Sequence, residues 1–196
     1  MASVVLVGAP ACGKTAIWLG LAAALGAAAL RLQDASGAAG ERLPWPVAHA
    51  RFGHERCAHG VRVAHLMLGG RRRQPWPLHV RLVDGPGIDA DDRQGGTEVA
   101  RLLRESVAAD LLVHVVSDSG AVDGALAQLA ASRRIALERV VVVGPGRRPP
   151  DGALRVRLGA AGAVRADASA LATRVRRRLA AGGARDASPL PARPPA

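Results

Sequence analysis

The chain is poor in cysteine and in aromatic side chains. Its 196 residues include two cysteines, three tryptophans, one phenylalanine and no tyrosine. Two cysteines cannot form a disulfide framework, which excludes the small disulfide-stabilised secreted folds. So few aromatic rings also disfavour binding of single-stranded nucleic acid by base stacking. The hydrophobic content of 49% excludes a chain that is disordered throughout, and the length suits one α/β domain with a single sizeable core.

Asparagine is absent, and lysine is nearly so. Of the 27 lysines and arginines, 26 are arginine, and the single lysine is Lys14. Residues with A/T-rich codons are scarce together, as expected of a GC-rich genome, so codon usage explains the arginine surplus without invoking a function. The net charge of +11 is still compatible with acidic partners. Lys14 is notable because an ammonium and a guanidinium are not interchangeable in a tight loop.

No apolar run is long enough for a membrane span. The longest uncharged stretch near the N-terminus, residues 16–30, is shorter than the roughly 20 residues that a transmembrane helix needs. A signal peptide is the alternative, but no basic residue precedes the first apolar run and Lys14 directly adjoins the stretch. We therefore predict a buried first helix in a cytoplasmic protein.

The order of apolar segments predicts an α/β fold. Six segments have the pattern of strands: 4–7, 62–68, 79–83, 111–116, 140–143 and 163–166. Four segments have helical spacing: 15–25, 97–107, 122–132 and 168–181. Continuous apolar runs are typical of parallel strands buried on both faces, whereas 62–68 and 79–83 predict an antiparallel hairpin. The alternation predicts a mostly parallel sheet of about six strands, one of them antiparallel, with helices on both faces.

Two segments and the C-terminus lack this periodicity. Residues 31–60 are predicted to be irregular, and residues 145–161 are only weakly patterned. The last helix should end at the glycine pair 182–183. Four prolines in the final thirteen residues predict a disordered tail. We predict one domain over 1–181 and a tail over 182–196.

A glycine-rich motif follows the first predicted strand and opens the first predicted helix. It fits G-x-x-x-x-G-K-[ST] at every fixed position. Its residues are Gly8, Ala9, Pro10, Ala11, Cys12, Gly13, Lys14 and Thr15. The glycines allow backbone N–H groups to surround a phosphate, and the helix N-terminus favours negative charge. Lys14 should reach the β- and γ-phosphates, and the Thr15 hydroxyl should bind Mg²⁺. A chance glycine turn, the alternative, is disfavoured by the flanking strand and helix.

A second motif, Leu-Val-Asp-Gly-Pro-Gly, occupies residues 82–87. Asp84 ends a predicted strand, where a carboxylate can hold Mg²⁺ directly or through water. Gly87 offers a backbone N–H that can approach a γ-phosphate closely. Alone, the sequence is also that of an ordinary turn. Its place on a hairpin strand after the glycine-rich motif favours the metal-binding interpretation.

These two motifs resemble those of P-loop small GTPases of the translation-factor-related class, nearest to the Era-like and FeoB-like G domains. The form G-x-P-x-x-G-K-T, the D-x-P-G turn and the apolar Ile88 carry the resemblance. Ras-like proteins have a water-orienting glutamine at the position of Ile88. The resemblance implies a three-layer P-loop NTPase fold over residues 1–181. It further implies a molecular switch that binds GTP and Mg²⁺ and hydrolyses GTP slowly.

The resemblance also implies the roles of individual residues. Lys14 would be the catalytic, charge-stabilising residue, and Thr15 and Asp84 would hold the metal. The implied nucleotide-binding residues are Gly8, Ala9, Pro10, Ala11, Cys12, Gly13, Lys14, Thr15, Asp84 and Gly87. A purine nucleoside triphosphate is the implied ligand. An activating arginine could come from a protein partner or from the arginine-rich segments 31–60 and 71–73 of this chain.

The guanine-reading and switch motifs of that family depart from their usual form. N-K-x-D cannot occur, because the chain has no asparagine and one lysine. Arg147 stands where the aspartate would accept from guanine, and an arginine only donates; Asp151 is an alternative acceptor. No threonine lies between residues 16 and 96, so Ser36, a backbone carbonyl or a water molecule would have to replace the switch threonine. The loop at 165–170 resembles the family's last motif only loosely, and a helix cap by Asp167 or Ser169 is the favoured interpretation.

Three functions therefore stay open. A slow GTPase switch is favoured, because the phosphate and metal residues are intact. A degenerate, non-hydrolysing G domain that serves as a binding module is the second. An ATP-using P-loop protein is the third, because the guanine-reading residues are missing.

Three further groups of residues suggest a metal-binding, a redox or an RNA-binding role, and in each case another interpretation is favoured. His54, Cys57 and His59, with His49 and His65 nearby, are too scattered for the paired ligands of a zinc site. Cys12 is close to a helix N-terminus, which predicts a somewhat acidic thiol open to oxidation, although a small loop filler is the favoured interpretation. The arginine clusters at 71–73, 147–148 and 176–178 are predicted to be solvated rather than to bind RNA or acidic lipid.

Overall fold

Strands and helices alternate along the chain. The computed structural model describes residues 1–26, 29–33, 39–44, 47, 61–68, 78–88, 102, 104–116, 121–142, 153–156 and 168–183. The elements are β1 (Ala2–Gly8), α1 (Lys14–Ala24), β2 (Ala29–Gln33), β3 (Ala39–Pro44), β4 (Arg62–Leu68), β5 (Leu78–Asp84), β6 (Leu111–Val116), α2 (Ala121–Arg133), β7 (Ala136–Val142), β8 (Leu154–Val156) and α3 (Ser169–Gly183). Residues 102 and 104–107 are also helical.

Six strands form one sheet in the order β4-β5-β1-β6-β7-β8. All neighbours are parallel except β4 and β5, which pair antiparallel. The predicted α/β class, the mostly parallel sheet and the single antiparallel strand are therefore confirmed. β1 lies in the interior of the sheet and is buried from residue 3 to residue 8, which explains its continuous apolar sequence.

Helices cover both faces of this sheet. Val4 and Leu6 belong to a core that includes residues of α1 and α3. Val5 and Val7 point the other way, into a second core with Leu102 and a residue of α2. Because successive side chains of a strand alternate between its faces, β1 contributes to both cores. The molecule is thus a three-layer α/β arrangement, as predicted.

The first helix is buried along most of its length. Residues 16–22 of α1 are all buried, as its uncharged sequence predicts. Trp18 is fully buried and its indole N–H donates to the Leu82 carbonyl at 3.0 Å. This bond fastens α1 to β5, one turn after the helix begins. Of the helices that the structure describes, none is both long and apolar enough to cross a membrane.

The prediction of an irregular segment over 31–60 is wrong at its start. β2 and β3 pair antiparallel as a separate two-stranded sheet. The signal was present, because residues 29–33 read Ala-Leu-Arg-Leu-Gln and alternate with the period of a strand. It was hidden by the apolar run that precedes it.

The later elements agree less closely with their predicted bounds. The sixth strand of the sheet is β8, within a segment that we predicted to be weakly patterned; the predicted strand 163–166 lies outside the described residues. In the predicted helix 97–107, Leu102 is buried but Val107 is 43% exposed. Over residues 127–133 of α2, whose burial the structure describes, Ala130 is the one buried residue and Leu129 is half-buried.

The last helix matches its prediction, because Leu171, Val175 and Leu179 all face the core. α3 extends through the glycine pair, to Gly183. The tail predicted from residue 184 onward lies outside the described residues, so its disorder stays a prediction.

Replacing Leu171 with alanine tests whether α3 is part of the folded core. Leu171 is fully buried, and a buried leucine-to-alanine change costs about 2–5 kcal/mol through lost burial and the cavity left behind. Val107→Ala, at an exposed helical position, is the control. Urea unfolding followed by circular dichroism should show a large loss of stability for the first variant and almost none for the second. Equal losses would contradict the core described here.

Candidate functional site

The glycine-rich loop (residues 8–15) and Asp84 lie at the same edge of the sheet. β1 leads into the loop, and Asp84 is the last residue of the neighbouring strand β5. The two strands are parallel, with Val5 opposite Val83, so their carboxyl ends coincide. The Thr15 hydroxyl donates to Asp84 Oδ2 at 2.9 Å. Two residues that are 69 positions apart in sequence therefore meet as the sequence predicts.

The two fixed glycines of the loop are required by its backbone and its surroundings. Gly8 and Gly13 have φ values of 153° and 92°, a region that side chains disfavour. A Cβ atom on Gly8 would lie 2.4 Å from the Val115 carbonyl oxygen, and one on Gly13 would lie 2.8 Å from Val142 Cγ2. The loop is thus held against the ends of β6 and β7. Ala11 also has a positive φ, 56°, without being a glycine.

Lys14 is folded over the loop rather than extended into solvent. The residue is 6% exposed, and its Nζ donates to the Ala9 carbonyl at 2.8 Å. Gly13, which caps α1, provides no side-chain hydrogen bond, and the first turn of the helix contains no acidic residue. The positive end of α1 and the ammonium group therefore lie at one loop with no carboxylate in the first turn to neutralise them.

Asp84 is a fully buried carboxylate with one oxygen that lacks a partner. Oδ2 accepts from Thr15 and lies 3.7 Å from Arg62 Nη1, whereas Oδ1 has no hydrogen-bond partner within the described residues. Burial raises the pKa of Asp84, and the Arg62 guanidinium, the Thr15 hydroxyl, Lys14 and the Gly85 amide oppose the rise. A buried oxygen without a partner is costly. Together with the Thr15 hydroxyl, it is the kind of hard oxygen donor that Mg²⁺ prefers, so these two residues fit the predicted metal.

The segment after Asp84 is folded directly against the glycine-rich loop. A Cβ atom on Gly87 would lie 2.4 Å from both Cα and N of Pro10. The Ile88 amide donates to the Gly8 carbonyl at 3.0 Å, and the Ile88 side chain packs against the second core. The structure thus brings together both predicted motifs, with glycine needed at 87 for the close approach.

Arg62 is a site residue that the sequence analysis missed. It begins β4 and is paired with Asp84 in the antiparallel register. Its side chain is 10% exposed. Extending the predicted hairpin by one residue at its open end would have put Arg62 opposite Asp84. The chain contains 25 other arginines, so residue type alone did not distinguish Arg62.

Several predicted residues lie outside the described part of the chain. These are Ser36, His49, His54, Cys57, His59, Arg147, Asp151 and Asp167. Within the described residues, no group of three or more histidine, cysteine, aspartate or glutamate side chains is suited to a metal ion. His65, considered with the scattered histidines, instead contacts His79, with Nδ1 and Nε2 at 3.1 Å.

The prediction of an acidic Cys12 thiol is wrong. Burial raises the pKa of Cys12, and this effect outweighs the opposing influence of Lys14 and of the backbone amides. The helix N-terminus is present, but Cys12 is half-buried and packs against the core, with its Sγ close to Gly8. Desolvation disfavours a thiolate there.

No protein-family model matches the chain, and no curated protein matches it. The function must therefore be argued from the chemistry of the site itself.

Replacing Gly87 with alanine tests the contact between the two motifs. The new methyl group would meet the backbone of Pro10, which cannot move without displacing the loop, and the expected cost is about 1–3 kcal/mol. Gly85→Ala is the matched control, because the atoms nearest to its methyl group would be the side-chain end of Leu102, at 2.8 Å, which can shift more easily than backbone. Urea unfolding should show the larger loss for Gly87→Ala. The opposite order would mean that residues 85–88 do not pack on the loop as described.

The alkylation rate of Cys12 tests its environment. In a Cys57→Ser variant, Cys12 is the only thiol. Because its pKa is raised in the folded protein, the thiolate fraction is lower at any given pH, and the rate should rise with pH at a higher midpoint than in the urea-unfolded chain. The reaction with iodoacetamide over a pH series measures both midpoints. A folded-state midpoint at or below the unfolded one would contradict the raised pKa.

Proposed function

We propose that the protein binds GTP together with Mg²⁺, hydrolyses it slowly and acts as a molecular switch. The single observation that carries the proposal is the contact between Thr15 and the buried Asp84, beside a loop that holds Lys14. A hydroxyl, an ammonium group and a carboxylate, one oxygen of which has no partner among the described residues, converge at one helix N-terminus. This combination suits a polyphosphate with its metal ion.

The loop would bind the phosphates through its backbone and Lys14. Lys14 Nζ donates to the Ala9 carbonyl, so the ammonium is positioned over the loop. Exchanging this carbonyl for a phosphate oxygen replaces a neutral acceptor by a charged one, which is the stronger interaction. Lys14 thus orients the phosphates and stabilises their charge.

Thr15 and Asp84 would hold the metal ion. Mg²⁺ bound there would neutralise phosphate charge and polarise the transferred group. The Thr15 hydroxyl is kept in place by Asp84 at 2.9 Å, and Trp18 fastens the same helix to β5. Both donors are therefore positioned by packed elements rather than by a free loop.

Slow hydrolysis follows from Ile88. Its side chain is apolar and packs against the second core, and its amide is bound to the Gly8 carbonyl. It cannot orient an attacking water. Phosphoryl transfer depends mainly on positioning and charge stabilisation, so the loop alone would support only slow turnover. An arginine supplied by an activating protein would accelerate it.

The second candidate is an ATP-using protein. One observation favours it: Arg147 stands at the position that would read guanine, and an arginine cannot accept from the base. The residues that would bind the phosphates and the metal ion do not discriminate between GTP and ATP, because the two nucleotides share these groups.

Isothermal calorimetry with GTP and with ATP, with and without Mg²⁺, tests these proposals. Lys14→Ala should abolish triphosphate binding, because the loop loses its ammonium group. Arg177→Ala, which removes one exposed positive charge from α3, is the control for net charge and should bind like the wild type. Unchanged affinity in Lys14→Ala would reject the site.

The same panel separates the candidates. Preference for GTP with slow phosphate release supports the switch. Equal affinity for GTP and ATP favours the ATP-using protein, and binding without any phosphate release favours a non-hydrolysing binding module.

A further inference from the structure

A buried guanidinium lies beside the carboxylate of the proposed metal site. The side chains of Arg62 and Asp84 are 10% and 0% exposed. The antiparallel register between β4 and β5 fixes the two residues opposite each other, so their proximity is set by the sheet and not by a loop. An arginine at this position was not foreseen from either motif.

The positive charge of Arg62 lowers the free-energy cost of burying the ionised carboxylate of Asp84. Burying an ionised carboxylate away from water is strongly unfavourable unless a positive charge lies near it. Among the groups that oppose the rise in the pKa of Asp84, Arg62 has the largest effect, larger than that of Lys14. In the absence of a divalent cation, Arg62 is thus the main source of positive charge at Asp84.

The contact is close enough for attraction but too long for a hydrogen bond. Arg62 Nη1 and Asp84 Oδ2 are 3.7 Å apart, whereas Arg81 and Glu105, on the same strand pair and the adjoining helix, are bonded at 3.2 Å. Hydrogen bonds between nitrogen and oxygen require about 2.7–3.2 Å. The Arg62–Asp84 pair can therefore be separated without loss of a directional bond between them.

We propose that Arg62 is a built-in substitute for the divalent cation: it neutralises Asp84 in the metal-free protein and must yield this carboxylate when Mg²⁺ binds. Arg62 then sets the Mg²⁺ concentration at which the triphosphate site is loaded. The inference rests on the proposed Mg²⁺ site at Thr15 and Asp84, and its nucleotide-dependent part rests also on the proposed triphosphate binding. Competition between the guanidinium and a metal ion for Asp84 exists whether or not a nucleotide binds.

Arg62→Met tests the competition, since it keeps an unbranched side chain and removes the charge. Arg81→Met is the matched control, because it removes an arginine from the neighbouring strand β5. Thermal unfolding of the nucleotide-free proteins is measured in EDTA and in excess MgCl₂. Mg²⁺ should raise the unfolding temperature of Arg62→Met by about 2–4 °C more than that of the wild type or the control, because Asp84 in the variant has lost its strongest competing cation. Adding Asp84→Asn to Arg62→Met should remove this extra gain.

A second measurement uses the nucleotide. In calorimetric titrations with GTP and ATP, the Mg²⁺ concentration for half-maximal binding should be on the order of tenfold lower for Arg62→Met than for the wild type, as for a coupled pair of charges. If Arg62→Met does not fold, Arg62→Gln gives the same comparison with a polar side chain.

The outcomes are distinct. Equal Mg²⁺ responses of Arg62→Met and the wild type, or a weaker response in the variant, would overturn the proposal. Loss of metal-free triphosphate binding in Arg62→Met would also overturn it, since Arg62 would then bind phosphate itself. If the wild type binds neither GTP nor ATP, the proposed function fails, whereas the nucleotide-free measurement still decides the role of Arg62.

Discussion

The contact between Thr15 and the buried Asp84 is the constraint on which the site depends. It exists because β1 and β5 are parallel neighbours, so that the start of α1 and the end of β5 reach the same edge of the sheet. A carboxylate without solvent is tolerated there only with compensating donors and charge. Thr15, Arg62 and Lys14 all contribute to that compensation. The fold thus places an acidic group where electropositive groups meet.

The glycine-rich loop is held from several sides at once. Gly8 and Gly13 touch β6 and β7, Gly87 touches Pro10, and the Ile88 amide binds the Gly8 carbonyl. The contacts at Gly8, Gly13 and Gly87 leave no space for a side chain, which explains why glycine occupies these positions. A loop fixed in this way keeps its backbone amides in one arrangement. Such preorganisation lowers the ordering cost of ligand binding.

The sequence predicted the elements and residues whose signals are local. A continuous apolar run identified β1, and fixed spacings identified Lys14, Thr15 and Asp84. Arg62 was missed because its role depends on strand register, which a short motif does not contain. The pair β2–β3 was missed because an uncharged run merges with the alternation that begins at residue 29. The strand β8 has only three residues, too few for a periodic pattern. The raised pKa of Cys12 depends on packing, so proximity to a helix N-terminus was misleading.

The position of Lys14 has a consequence for covalent modification. The chain contains one lysine, and its ammonium is turned inward onto the Ala9 carbonyl. The exterior therefore offers no lysine to acetylating or ubiquitin-conjugating enzymes, and amine-reactive labels meet only the α-amino group. Any acylation of the side chain would require the loop to open first, and an acylated Lys14 would carry no charge. Lysine-directed regulation of this protein is thus incompatible with an intact loop.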